Sequence, residues 1–384
     1  MTERKVYLDH AASTPTAPEV IEEMEPYFTD KYGNASALHS FGREAKEALE
    51  KSREKILKKS GAKNHKLIFT SGGTESNNFA LKGLAFREKK GQIITTKIEH
   101  DCILNSAKWL EGRGFDVTYL PVDENGFVKP EDLESAIQDD TFLVSIIHGN
   151  NEIGTIQKIK ELGKVCSENE VPLHTDACQS FTKVPINMKR DNIDLMTINA
   201  HKIHGPKGVG ALIIKEGIDI EPLMHGGGHE YKLRSGTQNV AGAVGFAKAT
   251  EVMDKKDIKK MRNLRDALIE GQLEIDDTIL NGPEGKDRLP NNSNVSFKFI
   301  EGESLLLHLD AKGIAASTGS ACSSKSLEPS HVLTAIGLPA EIAHGSIRLS
   351  LSKYNTEEEI EYTTASMKEA VKNLRKISPM KGGN

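Results

Sequence analysis

At 384 residues the chain exceeds what one hydrophobic core usually serves, so two domains, or one large domain with an appendage, are expected. Hydrophobic residues at 37% and charged residues at 27% describe an ordinary folded chain and exclude disorder, while a net charge of -5 with no Lys/Arg run beside aromatic residues excludes the electrostatic footprint of a nucleic-acid binder. Met1 to Leu8 has no apolar leader and no stretch of about 18 apolar residues occurs, so neither export nor membrane spanning is expected, and the cytoplasm is the expected location.

Short β-rich runs alternate with helical stretches from about residue 65 to 215, the pattern of βαβ units and a largely parallel sheet. Strands are expected at 66–70, 93–98, 142–147, 171–175, 194–199 and 210–214. Helices fill the gaps, at 74–86, at 101–111 ahead of Gly112 and Gly114, and at 157–168, each with apolar residues at three-to-four spacing. Beyond about 255 come a charged helix at 256–274, then isolated strands (VSFKF, SIRLSLS) among helices, which read as a smaller α/β domain. A last helix begins at a capping box, Thr356 followed by Glu357, Glu358 and Glu359, and carries Arg375 and Lys376 at its other end. Four cysteines, Cys102, Cys166, Cys178 and Cys322, form no C-x-x-C pair and no framework of a short secreted chain, so they are read as thiols.

Polar or glycine clusters follow the strands, and in such folds ligands bind beyond the carboxyl ends of parallel strands. The clusters are Ser71-Gly72-Gly73-Thr74-Glu75, a glycine turn opening a helix and so a cradle for an anion; Glu99-His100; His148-Gly149-Asn150-Asn151-Glu152; Asp176-Ala177-Cys178-Gln179; and His201-Lys202. Any one of these is ordinarily a cap or a solvated loop residue, but five aligned ends converge on one pocket. Together they supply an amine, a carboxylate, an imidazole and an anion cradle, the set that pyridoxal 5'-phosphate requires. Spacing alone does not choose between Lys202 and Lys207. Lys202, directly after a buried strand, is the better candidate; Lys207 follows a proline in an exposed loop. The pair His225 and His229 lacks further ligands at metal spacing, so no metal is expected there. The first strand-helix turn has no G-x-G-x-x-G, which disfavours a nicotinamide dehydrogenase.

These motifs, with Leu8-Asp9 through Thr14-Pro15, Asn150 to Gly154, Arg234-Ser235-Gly236-Thr237 and Ser317 to Ser324 around Cys322, resemble the cysteine desulfurases of the NifS/IscS type over nearly the whole chain. The resemblance implies a fold-type I homodimer that holds pyridoxal 5'-phosphate: a large domain, 15–255, with a seven-stranded, mostly parallel mixed sheet, and a small domain made of 1–14 and 256–384. It implies Lys202 as the Schiff-base lysine, His100 stacked on the ring and moving protons, Asp176 on the pyridinium nitrogen, and Gln179 on the ring hydroxyl. Gly73, Thr74, Asn199, His201 and Thr237, the last from the second subunit, would hold the phosphate. Asn151, beside the cofactor, would bind the substrate carboxylate with Arg348 and Asn34. Cys322, in a small polar run read as a mobile exposed loop, would receive sulfur from L-cysteine as a persulfide, with alanine leaving, and would be the residue to ligate an iron–sulfur cluster in transit. An IscU-like iron–sulfur scaffold protein is the acceptor that the family suggests. A selenocysteine lyase or another aminotransferase-like enzyme on the same scaffold remains the alternative.

Three positions depart from the family's pattern. Asn199-Ala200 stands where Ser-Gly is common, so one phosphate contact either rests on an amide or is missing. Cys178 replaces a Thr or Val, and Ala35 replaces the proline of a Gly-Asn-Pro segment.

Overall fold

The computed structural model describes residues 5–318 and 329–378. Its main sheet has seven strands, β1 (Lys66–Thr70), β2 (Gln92–Thr96), β3 (Asp116–Leu120), β4 (Thr141–Ser145), β5 (Leu173–Asp176), β6 (Leu195–Asn199) and β7 (Gly210–Ile214), in the order β1-β7-β6-β5-β4-β2-β3. Strands β2 to β6 are parallel; β7 alone is reversed, pairing antiparallel with both β6 and β1.

Period-two geometry explains how one short strand serves two cores. Leu67, Ile94, Val144, Met196 and Ile213 face a cluster with Leu49 and Ile56 of the helix Ser40–Lys59 and Phe246 of the helix Val240–Ala249. Their chain neighbours Ile68, Ile93, Leu143, Leu195 and Leu212 face the other side. There they meet Phe79 and Leu84 of α1 (Gly73–Glu88) and Ile103 and Leu110 of α2 (Asp101–Glu111). Strands β2, β5, β6 and β7 are therefore wholly buried. Apolar residues occur side by side along them instead of alternating with polar ones.

A separate core joins Val6 and Leu8 to Leu264, Leu268, Val295, Phe297, Ile347, Leu349, Met367 and Val371. It lies around a three-stranded antiparallel sheet of β8 (Thr278–Leu280), β9 (Asn292–Phe297) and β10 (Ser346–Ser350), with β9 central. The final helix, Glu357–Ile377, starts as the sequence indicates: Thr356 Oγ1 accepts the Glu359 N–H at 3.3 Å and Glu359 Oε2 accepts the Thr356 N–H at 3.2 Å.

Strand β3 stands between the expected helix 101–111 and the expected strand 142–147, where the sequence reading placed no strand. It is the sheet's edge, with a single fully buried residue, Leu120, so its apolar signal is weak. Among the described residues no helix is long and apolar enough to cross a membrane.

Candidate active site

A cavity of about 580 Å³ opens at the carboxyl ends of the parallel strands, and all five strand-end clusters contribute to its wall. Lys202, just beyond β6, lines it, whereas Lys207 is exposed and borders a separate surface cleft with Lys5 and Tyr7. The two lysines thus part company in the direction in which the chain leaves β6.

Asp176 ends β5 and is 5% exposed, yet no cation pairs with it among the described residues. Its Oδ1 accepts the Cys178 N–H at 2.9 Å and its Oδ2 accepts from Asn77 Nδ2 at 2.6 Å. His100 is the N-cap of α2, where its Nδ1 accepts the Cys102 N–H at 3.2 Å; the ring proton therefore sits on Nε2. Burial, aided by repulsion from Lys202, holds the His100 pKa below the usual imidazole range, so the ring is neutral.

The anion cradle is the start of α1. Gly73 and Thr74 line the cavity at the positive end of a sixteen-residue helix. Glu75 braces the turn: it accepts the Ser71 N–H at 2.7 Å and pairs with Arg234 Nε at 2.8 Å. Glycine is required at 73 because a Cβ there would lie 2.7 Å from Cys178 Sγ. The unusual Cys178 thus packs directly beneath the cradle.

Arg348, on β10, reaches the cavity from the small sheet. Its Nη1 donates to the Asn151 carbonyl and its Nη2 to Asp9 Oδ1, both at 3.0 Å, while its Nε is buried without a partner among the described residues. Asn151 Oδ1 and Asn199 Oδ1 are likewise buried and unpaired. Unsatisfied buried polar atoms are rare in native folds, and these three line one cavity, so they are sites at which a polar ligand would bond. Gln179 also lines it, with Nε2 donating to the Ala11 carbonyl at 2.9 Å. His201 completes the wall; burial and then Lys202 push its pKa down to about 4.

Other expected participants lie elsewhere. His148 is turned into the core, with Nδ1 2.7 Å from Ser180 Oγ. Glu99 is fully buried, its Oε1 bonded to Thr96 and the Ile147 N–H, and burial pushes its pKa up to about 8. Asn34 and Thr237 are exposed and outside the lining of their own chain's cavity. Cys322 lies outside the described residues, but Ser317 on one side of that stretch and Pro329 on the other both line the cavity. Sequence reasoning did not single out Asn77, Cys102 or His331, which also line it. His331 is fixed by donating from Nε2 to the Glu99 carbonyl at 2.9 Å.

A lysine, a neutral imidazole, a buried carboxylate and a helix-start cradle at the carboxyl edge of this sheet define a group-transfer site of the aminotransferase kind. A family model for class-V aminotransferases matches residues 6–363. A cysteine desulfurase IscS of Dictyoglomus turgidum is 53% identical over 98% of this chain and 97% of its own length, and one from Methanosarcina thermophila is 52% identical over 99% and 95%. Among solved structures, a NifS-like protein superposes with a TM-score of 0.89 at 41% identity, covering 97% of this chain and all of the other. SspA in complex with cysteine gives 0.83 at 39%, covering 92% of this chain and all of its own. The chain belongs to the class-V aminotransferase family and, within it, to the cysteine desulfurases of the NifS/IscS type.

Proposed function

We propose that this protein binds pyridoxal 5'-phosphate through Lys202 and uses it to convert L-cysteine to L-alanine, leaving the sulfur on Cys322 as a persulfide. The observation that carries the reading is the meeting of Lys202, His100, Asp176 and the Gly73–Thr74 cradle on one cavity. The rim of that cavity includes Ser317 and Pro329, on either side of Cys322 in the chain.

When bound, the cofactor supplies an electron sink for charge developing on the substrate's α-carbon. Asp176, held by two N–H donors, would keep the ring nitrogen protonated, Gln179 would bond the ring hydroxyl, and Gly73, Thr74, Asn199 and His201 would hold the phosphate. The unpaired Asn199 Oδ1 suits a protonated phosphate oxygen, and its amide nitrogen a charged one. Neutral His100 and the released Lys202 amine would carry protons at the substrate carbon. The Cys322 thiolate would attack the substrate sulfur; a new S–S bond forms, the C–S bond breaks, and its electron pair stays with the carbon skeleton, which leaves as alanine after protonation.

Arg348 and Asn151, with Asn34, would grip the substrate carboxylate. Arg348→Ala is expected to raise KM for cysteine about tenfold to a hundredfold, the loss of a charge-assisted contact worth about 1.5–3 kcal/mol, with a smaller change in kcat. Steady-state kinetics with an unchanged KM would remove Arg348 from the substrate site.

The working unit would be a homodimer in which Thr237 serves the phosphate of the other copy. Supporting this, Phe28, Tyr32 and Leu38 are 65%, 68% and 91% exposed within eleven residues, an apolar concentration that suits burial against a second chain. Light scattering should give twice the chain mass; a fully active monomer would dismiss the role of Thr237. The two cores support a division of the chain near residues 15 and 255. Free Cys102, Cys166 and Cys178 suit a reducing compartment such as the cytoplasm, and an IscU-like scaffold protein is the acceptor that the IscS relatives suggest. The activity is tested by incubating the protein with L-cysteine and a reductant: alanine and sulfide should appear in equal amounts. Turnover confined to selenocysteine would instead establish the lyase reading.

A further inference from the structure

We infer that Asn77 is a positioning residue whose single amide group holds both the Asp176 carboxylate and the His100 side of the cavity in place for the cofactor ring. The inference rests on the pyridoxal phosphate reading of this site.

Asn77 is fully buried on α1, one turn beyond the Gly73–Thr74 cradle, and lines the same cavity. Its Nδ2 carries two hydrogens and uses both. One goes to Asp176 Oδ2 at 2.6 Å; the other goes to Cys102 Sγ at 3.1 Å. Cys102 Sγ in turn lies 3.0 Å from His100 Nδ1, the nitrogen that already accepts the Cys102 N–H. Burial pushes the Cys102 thiol up to about 12, so the sulfur keeps its proton and donates it to that ring nitrogen. The donor chain Asn77 to Cys102 to His100 therefore keeps the imidazole proton on Nε2. The bond from Asn77 to Asp176 fixes the plane in which the carboxylate can meet a ring nitrogen.

The other end of the amide makes the assignment stronger. Asn77 Oδ1 is buried with no partner among the described residues, an arrangement that a fold seldom tolerates. Turning the amide over would aim that oxygen at the Asp176 carboxylate, so the unpaired acceptor is the consequence of directing both N–H groups at the site. One helix thus presents an anion cradle in its first turn and, in its second, the amide that orients the acidic partner.

The test is cofactor titration into the apo-protein. For Asn77→Leu, close in size but without donors, the dissociation constant for pyridoxal phosphate should rise tenfold or more and the visible band of the bound cofactor should shift, while the melting temperature of the apo-protein does not fall. Asn77→Ala gives the same readouts should leucine prevent folding. A dissociation constant within twofold of the parent's, with superimposable spectra, would overturn the inference. A parent protein that forms no borohydride-reducible visible band would sink the pyridoxal phosphate reading itself, an outcome separate from any effect of the substitution.

Discussion

Lys202→Ala should yield a folded protein with no covalently held cofactor and cysteine turnover lowered by a factor on the order of 10² to 10⁴, the range for losing a positioned proton carrier. Lys202 lines the cavity on the same rim as neutral His100, while Lys207, five residues on, points into another cleft. Borohydride reduction followed by peptide mapping should therefore find pyridoxyl on 202 in the parent and on no lysine in the variant. Lys207→Ala should keep both the label and the visible band. A label on 207, or substantial turnover without Lys202, would mean that the site is centred on the wrong amine.

Cys322→Ser should retain cofactor binding and lose sulfide release by about a hundredfold or more, because the hydroxyl cannot replace a thiolate as nucleophile. The described thiols offer no substitute. Burial pushes Cys102 and Cys166 up to about 12 and also raises Cys178, beneath the cradle, well above the usual thiol range. At neutral pH a thiol with such a pKa is ionised to only about one part in 10⁵. After brief exposure to L-cysteine, mass spectrometry should find about 32 mass units added to the parent at Cys322 and none in the serine variant. Sulfur on Cys102 or Cys178 would require a different route through the cavity.

The site was legible in the sequence wherever chemistry follows a strand directly. His100, Asp176 and Lys202 each stand within four residues of a buried strand end, and in a parallel sheet that position alone places a side chain at the ligand-binding edge. Gly73 and Thr74 were legible for a similar reason, as the opening of a helix after a glycine turn. Asn77 and Cys102 were not, because their usefulness depends on how α1 and α2 are rotated against the sheet, and an asparagine inside a helix looks the same in sequence whichever way it faces. His331 reaches Glu99 across 232 positions, a pairing that no local pattern contains. Arg348 entered only through the family resemblance, since an arginine within SIRLS reads by itself as one more residue of a buried strand.

The fold divided along the same line. Strands β1 and β7 fall at their expected limits, β1 lying between His65 and Ser71 and β7 opening on Gly210 and stopping before Lys215. The edge strand β3, with little to bury, left too faint a trace to be read.

The guanidinium of Arg348 bonds to Asn151 and to Asp9, so one side chain joins three stretches of polypeptide far apart in the chain. In the order of synthesis this cation comes last: residue 348 follows the lysine by 146 positions and the cradle threonine by 274. On the proposed roles, a growing chain would carry the residues for its vitamin-derived group before it carried the arginine meant for an amino acid's carboxylate.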